Sequence, residues 1–208
     1  PVGTFTIEDG NIQACVPFAA RVYTLDEPQE TYQTFQVDLV VSGAPPFAQT
    51  FTSVSFSTYN LLPLAAGVEP TPGLGIAAGR FRDCADEPVE NAEASVGTLD
   101  LDTGEVVQAE GYRMRYFRNE DPSGVQEHTS DDGLFGALNV PPGERQNMML
   151  WGIPQDEAHC VHTTGGDVIW STENSALCLL GSSAIVVQED SVNIANVYLR
   201  PFPESCTQ

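Results

Sequence analysis

Apolar and polar residues alternate at every second position in many short segments of this chain. The clearest case is TFQVDLVVS at 34–42, where apolar side chains at 35, 37, 39 and 41 alternate with polar ones at 36 and 38. Such alternation is typical of a β-strand with one buried face. Similar strand-like runs fall at 4–9, 51–57, 79–83, 92–98, 111–118, 134–140, 146–152, 167–171, 183–188 and 192–200. Helical periodicity is almost absent, so the pattern predicts an all-β fold.

Turn-forming residues separate these runs. They are DEP at 86–88, DTG at 102–104, NEDPSG at 119–124, DDG at 131–133, PPG at 141–143 and TTGG at 163–166. Gly133 permits a positive φ, and Asp131 or Asp132 can accept hydrogen bonds from the turn backbone. Pro141 and Pro142 end the strand predicted at 134–140, and we expect Gly143 to supply the chain reversal that follows. Short strands joined by regular turns favour an antiparallel β-sandwich.

One segment interrupts the alternation and suggests a boundary. TYNLLPLAAGVEPTPGLG at 58–75 predicts a short helical turn, followed by a connector rich in proline and glycine over 63–75. We therefore divide the chain into an N-terminal β-rich region, 1–74, and a sandwich, 75–208. The two regions form either one enlarged domain or two separate sandwiches.

The charge balance limits the classes of partner. The chain has 29 acidic and 8 basic residues, so its net charge is −21, and every basic residue is an arginine. A surface of this sign repels nucleic acid and anionic membranes, so we expect neither as a partner. No apolar run reaches the roughly 20 residues that a membrane-spanning helix needs. The expected partner is a protein, either a second copy of this chain or another surface protein.

Five cysteines are widely spaced, and no pair has the two-residue spacing of a zinc module. This usage indicates an oxidising compartment, which places the protein outside the cell or on its surface. Cys160 and Cys178 flank a predicted hairpin and are the first candidate disulfide. The second is Cys206 with Cys15 or Cys84. The odd number leaves one thiol for burial or for a bond to another chain.

Two stretches carry a resemblance to a known family. They are GRFRDCADEPVENAEASV at 79–96, with its Pro88-Val pair, and TSDDGLFGALNVPPGER at 129–145. Their turn residues Asp132, Gly133, Phe135 and Gly143 resemble those of a carboxypeptidase regulatory-like module, of the transthyretin or prealbumin-like class. The resemblance covers about 75–155 and implies a prealbumin- or immunoglobulin-like sandwich. It also implies a setting in secreted or surface-anchored bacterial proteins.

An acidic turn offers a candidate calcium site. LDLDTGE at 99–105 places Asp100, Asp102 and Glu105 around a glycine, although a full calcium loop needs further oxygen ligands. The alternative is a solvated strand-to-strand turn. No other cofactor is expected.

A histidine pair gives a weaker metal hypothesis. His159 and His162 bracket Cys160, and with Tyr112 and Tyr116 they could form an iron site of two tyrosines and two histidines. Histidines beside a disulfide are the simpler interpretation.

Three arginines lie close together in YRMRYFR at 112–118. As a strand, this segment places Arg113 and Arg115 on one face and Tyr112, Met114 and Tyr116 on the other. Together with Arg118 they form a candidate docking stripe for an acidic partner. The alternative is ion pairing with neighbouring strands.

Aromatic residues suggest a further alternative, a platform that stacks sugars. The candidates are Tyr23, Tyr32, Tyr59, Phe117, Trp151 and Trp170. Burial in the core of the sandwich is the competing interpretation.

No nucleophile motif or convergent catalytic set is recognisable, so we expect no enzyme activity. The sequence favours a non-catalytic extracellular structural or adhesion protein that assembles through strand edges such as GTFTIE at 3–8. A calcium- or carbohydrate-binding module of the cell surface is the alternative. A metal-dependent enzyme is the least favoured interpretation.

Overall fold

The fold is known from a computed structural model, which describes residues 12–14, 16, 18–24, 31–41, 50–83, 85–100, 106–152 and 178–199. The predicted all-β class is confirmed, since two sheets and one short helix account for the regular structure of these residues. None of the helical structure described is long and apolar enough to cross a membrane.

The larger sheet has eight strands, in the order β1–β2–β12–β4–β9–β7–β8, with β3 also paired to β2. These strands are β1 (Phe18–Val22), β2 (Thr31–Leu39), β3 (Val54–Ser55), β4 (Gly75–Arg82), β7 (Arg113–Arg118), β8 (Asp121–Ser123), β9 (Leu134–Val140) and β12 (Ser191–Tyr198). Strand β12 is parallel to both of its neighbours, β2 and β4, and the other pairs are antiparallel.

The smaller sheet has four antiparallel strands, in the order β11–β10–β5–β6. They are β5 (Glu93–Leu99), β6 (Val106–Gln108), β10 (Gly143–Gly152) and β11 (Cys178–Val187). Pro141 and Pro142 carry the chain from β9 in the larger sheet to β10 in the smaller one. Ser183 of β11 donates a hydrogen bond to the carboxylate of Asp38 of β2 and so links the two sheets.

The main core lies between the two sheets. Phe81 of β4 and Phe135 of β9 stack at its centre, with ring centroids 4.3 Å apart, and neither side chain has appreciable exposure. Met148 and Leu150 of β10 contribute from the opposite sheet. Burial of these apolar surfaces is the main stabilising contribution to the sandwich.

Strand β2 differs from the sequence prediction, because its polar face is also buried. Thr34 and Gln36 have little or no exposure, whereas Phe35 on the other face is only half-buried. The segment before the helix covers the polar face. The amide of Thr52 donates to Gln36 Oε1 at 3.2 Å, and that of Val54 donates to Thr34 Oγ1 at 3.2 Å. Hydrogen bonding therefore permits polar side chains at buried positions.

The strand predicted at 51–57 is largely wrong, since only Val54–Ser55 is a strand and helix α1 (Phe56–Ala65) follows at once. Ser55 is the N-cap residue, and its Oγ accepts from the amide of Thr58 at 3.1 Å. Serine at this position stabilises the start of a helix. The helix covers the outer face of the larger sheet through Tyr59, which packs near Ile76 and Leu138.

Residues on both sides of position 74 share the larger sheet, because β2 pairs with β12 and β12 pairs with β4. The described part of the N-terminal region thus adds strands to the sheet that contains β4. The boundary at 74 itself stays a prediction.

Candidate functional site

The DDG turn has the local structure that its residues require. Gly133 has a φ of +65°, and Asp132 Oδ1 accepts from the amide of Leu134 at 2.9 Å. The other carboxylate oxygen of Asp132 accepts from the amide of Glu120 at 3.2 Å, so this side chain also holds the turn between β7 and β8. Phe135 then enters the core. Asp132 and Gly133 are therefore engaged in local structure.

Two further turn residues differ in their surroundings. Pro88 forms an isolated bridge with Arg82 at the end of β4. Gly143 is the first residue of β10, and its φ is not positive. Asn139, which lies two residues before Pro141, does have a positive φ, of 60°. The reversal expected at Gly143 is replaced by a passage between sheets, which needs no left-handed residue there.

Two tyrosines accept hydrogen bonds from backbone amides of β5. One lies in β7 of the larger sheet, and the other directly precedes that strand. The hydroxyl oxygens of Tyr116 and Tyr112 accept from the amides of Ala94 and Val96, at 2.8 and 3.2 Å. Burial raises the pKa of both tyrosines, so their hydroxyls remain protonated at neutral pH. Tyr112 and Tyr116 thus bind the backbone of β5 and have a structural role.

The arginine stripe is divided between structural and exposed side chains. Arg115 Nε donates to the carbonyl of Ala66 and its Nη1 to the carbonyl of Met114, each at 2.8 Å. Arg115 therefore fastens the end of α1 to β7. Arg113 and Arg118 are exposed, and within the described residues neither has an ion pair. These two side chains are five residues apart on β7 and so lie on opposite faces of the strand, and the predicted continuous stripe is not formed.

A groove of about 630 Å³ lies beside β8, and Arg118, Val125 and His128 are among its lining residues. Val125 is 92% exposed, more than any other large apolar side chain of the described residues. We call Arg118, Val125 and this groove, which Glu90 and Asp131 also line, the β7–β8 surface. It combines an exposed arginine with an exposed apolar side chain in a molecule of net charge −21.

The candidate metal sites receive no support from the described residues, which contain no group of three or more His, Cys, Asp or Glu side chains placed to hold an ion. Asp100 follows β5, while Asp102 and Glu105 lie outside the described residues. His159 and His162 also lie outside them, so the histidine hypothesis is not tested.

The disulfide hypothesis falls mostly on residues that the structure does not describe. Cys15, Cys84, Cys160 and Cys206 lie outside the described ranges, and of Cys178 only the backbone is described, as the first residue of β11. The pairing therefore stays a prediction.

The aromatic residues do not form one platform. Trp151 is only 3% exposed and donates through Nε1 to Ser95 Oγ at 2.7 Å, so it belongs to the structure of the smaller sheet. Trp170 lies outside the described residues. Tyr32 and Tyr59, by contrast, meet at an open cleft of about 470 Å³ between β2, α1 and the turn after β11.

This cleft is the site that the sequence analysis did not recognise as a unit. Phe56, Asn60 and Asp190 also line it, and Asp190 comes from the far end of the chain. Burial, followed by the nearby carboxylate of Asp190 and then by Tyr32, raises the pKa of Tyr59 to about 12. The Tyr59 hydroxyl is therefore protonated at neutral pH and donates to the carbonyl of Leu74 at 3.1 Å.

Compared with known protein families, with curated proteins and with solved structures, the chain matches none of them. The geometry of the β7–β8 surface and of the aromatic cleft therefore carries the functional argument.

Proposed function

We propose that this protein is a non-catalytic extracellular β-sandwich that acts by contact, as a structural or adhesion module that associates with further copies of itself. The observation that carries the proposal is the β7–β8 surface. It presents Arg118, for which no ion pair is described, beside the exposed Val125, on a molecule with a large negative charge. An arginine beside an apolar side chain can contact carboxylates on the acidic surface of another copy.

This contact is made by side chains and not by the addition of a strand to the edge of the sheet. Strand β8 has only three residues, and Arg115 already donates to the outward-lying backbone at Met114. Short and occupied edges resist the addition of a further strand. The proposed contact therefore depends on Arg118 and Val125.

The resemblance to the carboxypeptidase regulatory-like module agrees with this proposal, since that module serves non-catalytic roles in secreted and surface proteins. The turn residues at Asp132 and Gly133, on which the resemblance rests, hold local structure in this protein. The family assignment stays a prediction, as does the extracellular location.

Static light scattering over a range of protein concentrations tests the proposal. We expect the mean mass to rise with concentration at low salt and to fall when salt is added, because salt screens contacts between exposed charges. Arg118→Glu should raise the dissociation constant about five- to tenfold, since a repulsive contact replaces an attractive one.

Arg21→Glu is the matched control, because it makes the same change in net charge but lies on β1, at the opposite edge of the larger sheet. We expect it to leave association nearly unchanged. A wild-type protein that stays monomeric at every concentration would refute the proposal. Equal weakening by both variants would assign association to net charge and not to this surface.

A further inference from the structure

The aromatic cleft has a wall of rings that is already assembled. Tyr32 of β2 stacks on Tyr59 of α1, with centroids 3.8 Å apart and an angle of 19° between the rings. Phe56 packs against Tyr32 at 4.2 Å with an angle of 52°. Tyr59 is buried, whereas Tyr32 and Phe56 retain partial exposure at the cleft. A ligand entering the cleft therefore meets rings that the fold holds in place.

Three side-chain oxygen atoms of the cleft can accept hydrogen bonds from a ligand. Asn60 uses its Nδ2 to donate to the carbonyl of Phe56 at 2.9 Å, which leaves its amide oxygen available. Asp190 uses Oδ1 to accept from the amide of Gly73 at 3.0 Å, which leaves its second carboxylate oxygen. Gln33 Oε1 is buried and has no partner in the described structure. A ligand that brings hydrogen-bond donors can therefore pair with these three oxygens.

The negative charge of the molecule also limits the class of ligand that the cleft can bind. Asp190 lies in the cleft and the whole chain carries −21, so an anionic ligand would be repelled. Burial, and after it the nearby carboxylate of Asp190, raises the pKa of Tyr32. The ligand must be neutral or cationic.

We propose that this cleft binds a saccharide that has no acidic groups. The apolar C–H face of one sugar ring would pack on Tyr32 and Phe56, where aromatic rings provide large contact areas. The hydroxyl groups of the sugar would donate to the oxygens of Asn60 and Asp190, and a hydroxyl that reaches Gln33 would satisfy its unpaired oxygen. A volume of about 470 Å³ has room for one or two sugar rings.

This binding is independent of self-association, because the cleft shares no lining residue with the groove beside β8. Variants of the cleft should leave the light-scattering result unchanged. Failure of either proposal can therefore be recognised without the other.

Isothermal titration calorimetry and saturation-transfer difference NMR on the full chain test the proposal. The probes are maltotriose, cellotriose, the trisaccharide of N-acetylglucosamine, trigalacturonate and tetramethylammonium. We expect at least one neutral trisaccharide to bind with a Kd below about 1 mM, and trigalacturonate to bind more than about tenfold more weakly. Tetramethylammonium is a cation without hydroxyl groups, so it tests whether the cleft selects its ligand by positive charge alone. Binding of this ion without any saccharide would overturn the proposal, as would a complete absence of binding.

Two variants assign the signal to the cleft. Tyr32→Ala should weaken binding of the best neutral sugar by about tenfold or more. Tyr23→Ala removes a tyrosine that is 45% exposed and does not line the cleft, so it should bind as the wild type does. If Tyr32→Ala lowers the thermal unfolding midpoint, Phe56→Ala provides the same test. Unchanged sugar affinity in a folded Tyr32→Ala or Phe56→Ala variant would overturn the proposal.

Asp190→Asn tests the selection against acids with little change of shape. Asparagine tolerates the positive φ of 48° at this position, and its oxygen can still accept from Gly73. We expect this variant to bind trigalacturonate about two- to fivefold better while neutral sugars change little. No gain for trigalacturonate would contradict the role assigned to this carboxylate.

Discussion

Replacing Gly79 with alanine is expected to lower the free energy of unfolding by about 3 kcal/mol or more. Gly79 lies in β4, opposite Ala195 of the parallel strand β12. A Cβ atom at Gly79 would overlap the carbonyl oxygen of Ala195 and would approach the Phe135 ring at 3.4 Å. Because the obstacle is backbone, the two strands would have to separate. Urea denaturation followed by circular dichroism measures the loss.

Two glycine variants serve as controls for Gly79→Ala. Gly124→Ala places its Cβ in open space at an ordinary φ, so it should change stability by less than about 1 kcal/mol. Gly111→Ala also enters open space but at a φ of +85°, so it isolates the cost of the left-handed conformation. A Gly79→Ala variant as stable as Gly124→Ala would contradict the pairing of β4 with β12.

Phe81→Ala is expected to destabilise the protein by about 3–5 kcal/mol, because it opens a cavity in the middle of the core. The Phe81 side chain has no exposure, and its ring stacks on Phe135 with an angle of 24° between the planes. The same denaturation experiment measures this loss. The double variant Phe81→Ala/Phe135→Ala should show a coupling free energy of about 0.5–1.5 kcal/mol from the ring contact.

Val125→Ala is the control for this truncation, since a side chain that is 92% exposed has little packing to lose. We expect it to change stability by no more than about 0.5 kcal/mol. A loss below about 1 kcal/mol for Phe81→Ala would mean that the two sheets do not enclose this ring.

The sequence predicts the longer strands between residues 75 and 152, because turn chemistry marks their ends. It misses the short strands β6 (Val106–Gln108) and β8 (Asp121–Ser123), and β8 lies within the stretch 119–124 predicted to be a turn. The run at 134–140 coincides with β9 (Leu134–Val140), which begins directly after Gly133. The run at 92–98 differs by one residue from β5 (Glu93–Leu99). Aspartate, glycine and proline act locally in such turns, so their effect can be recognised without knowledge of the rest of the fold.

Helix α1 was harder to predict because two local signals compete. FTSVSFS alternates like a strand, but the hydroxyl of Ser55 caps a helix that starts at the next residue. Burial of Tyr59 against the sheet then stabilises the helix. Tertiary packing of this kind has no signature in a short window of sequence.

The parallel pairing of β12 with β2 and β4 could not be predicted either. It joins segments that are far apart in the chain, and nothing in their alternation specifies a parallel neighbour. For the same reason the sequence names Tyr32 and Tyr59 as aromatic residues but gives no sign that Asp190 lies beside them. The role of Arg115 likewise depends on the carbonyl of Ala66, whose position follows from α1.

Hydrogen–deuterium exchange at low and high protein concentration tests the central claim most directly, that the molecule acts through contacts of its β7–β8 surface. We predict slower amide exchange at high concentration in the segment from Arg113 to Gln126. Arg118→Glu should remove this concentration dependence. Exchange rates that are the same at both concentrations, or slower only in other segments, would contradict the account.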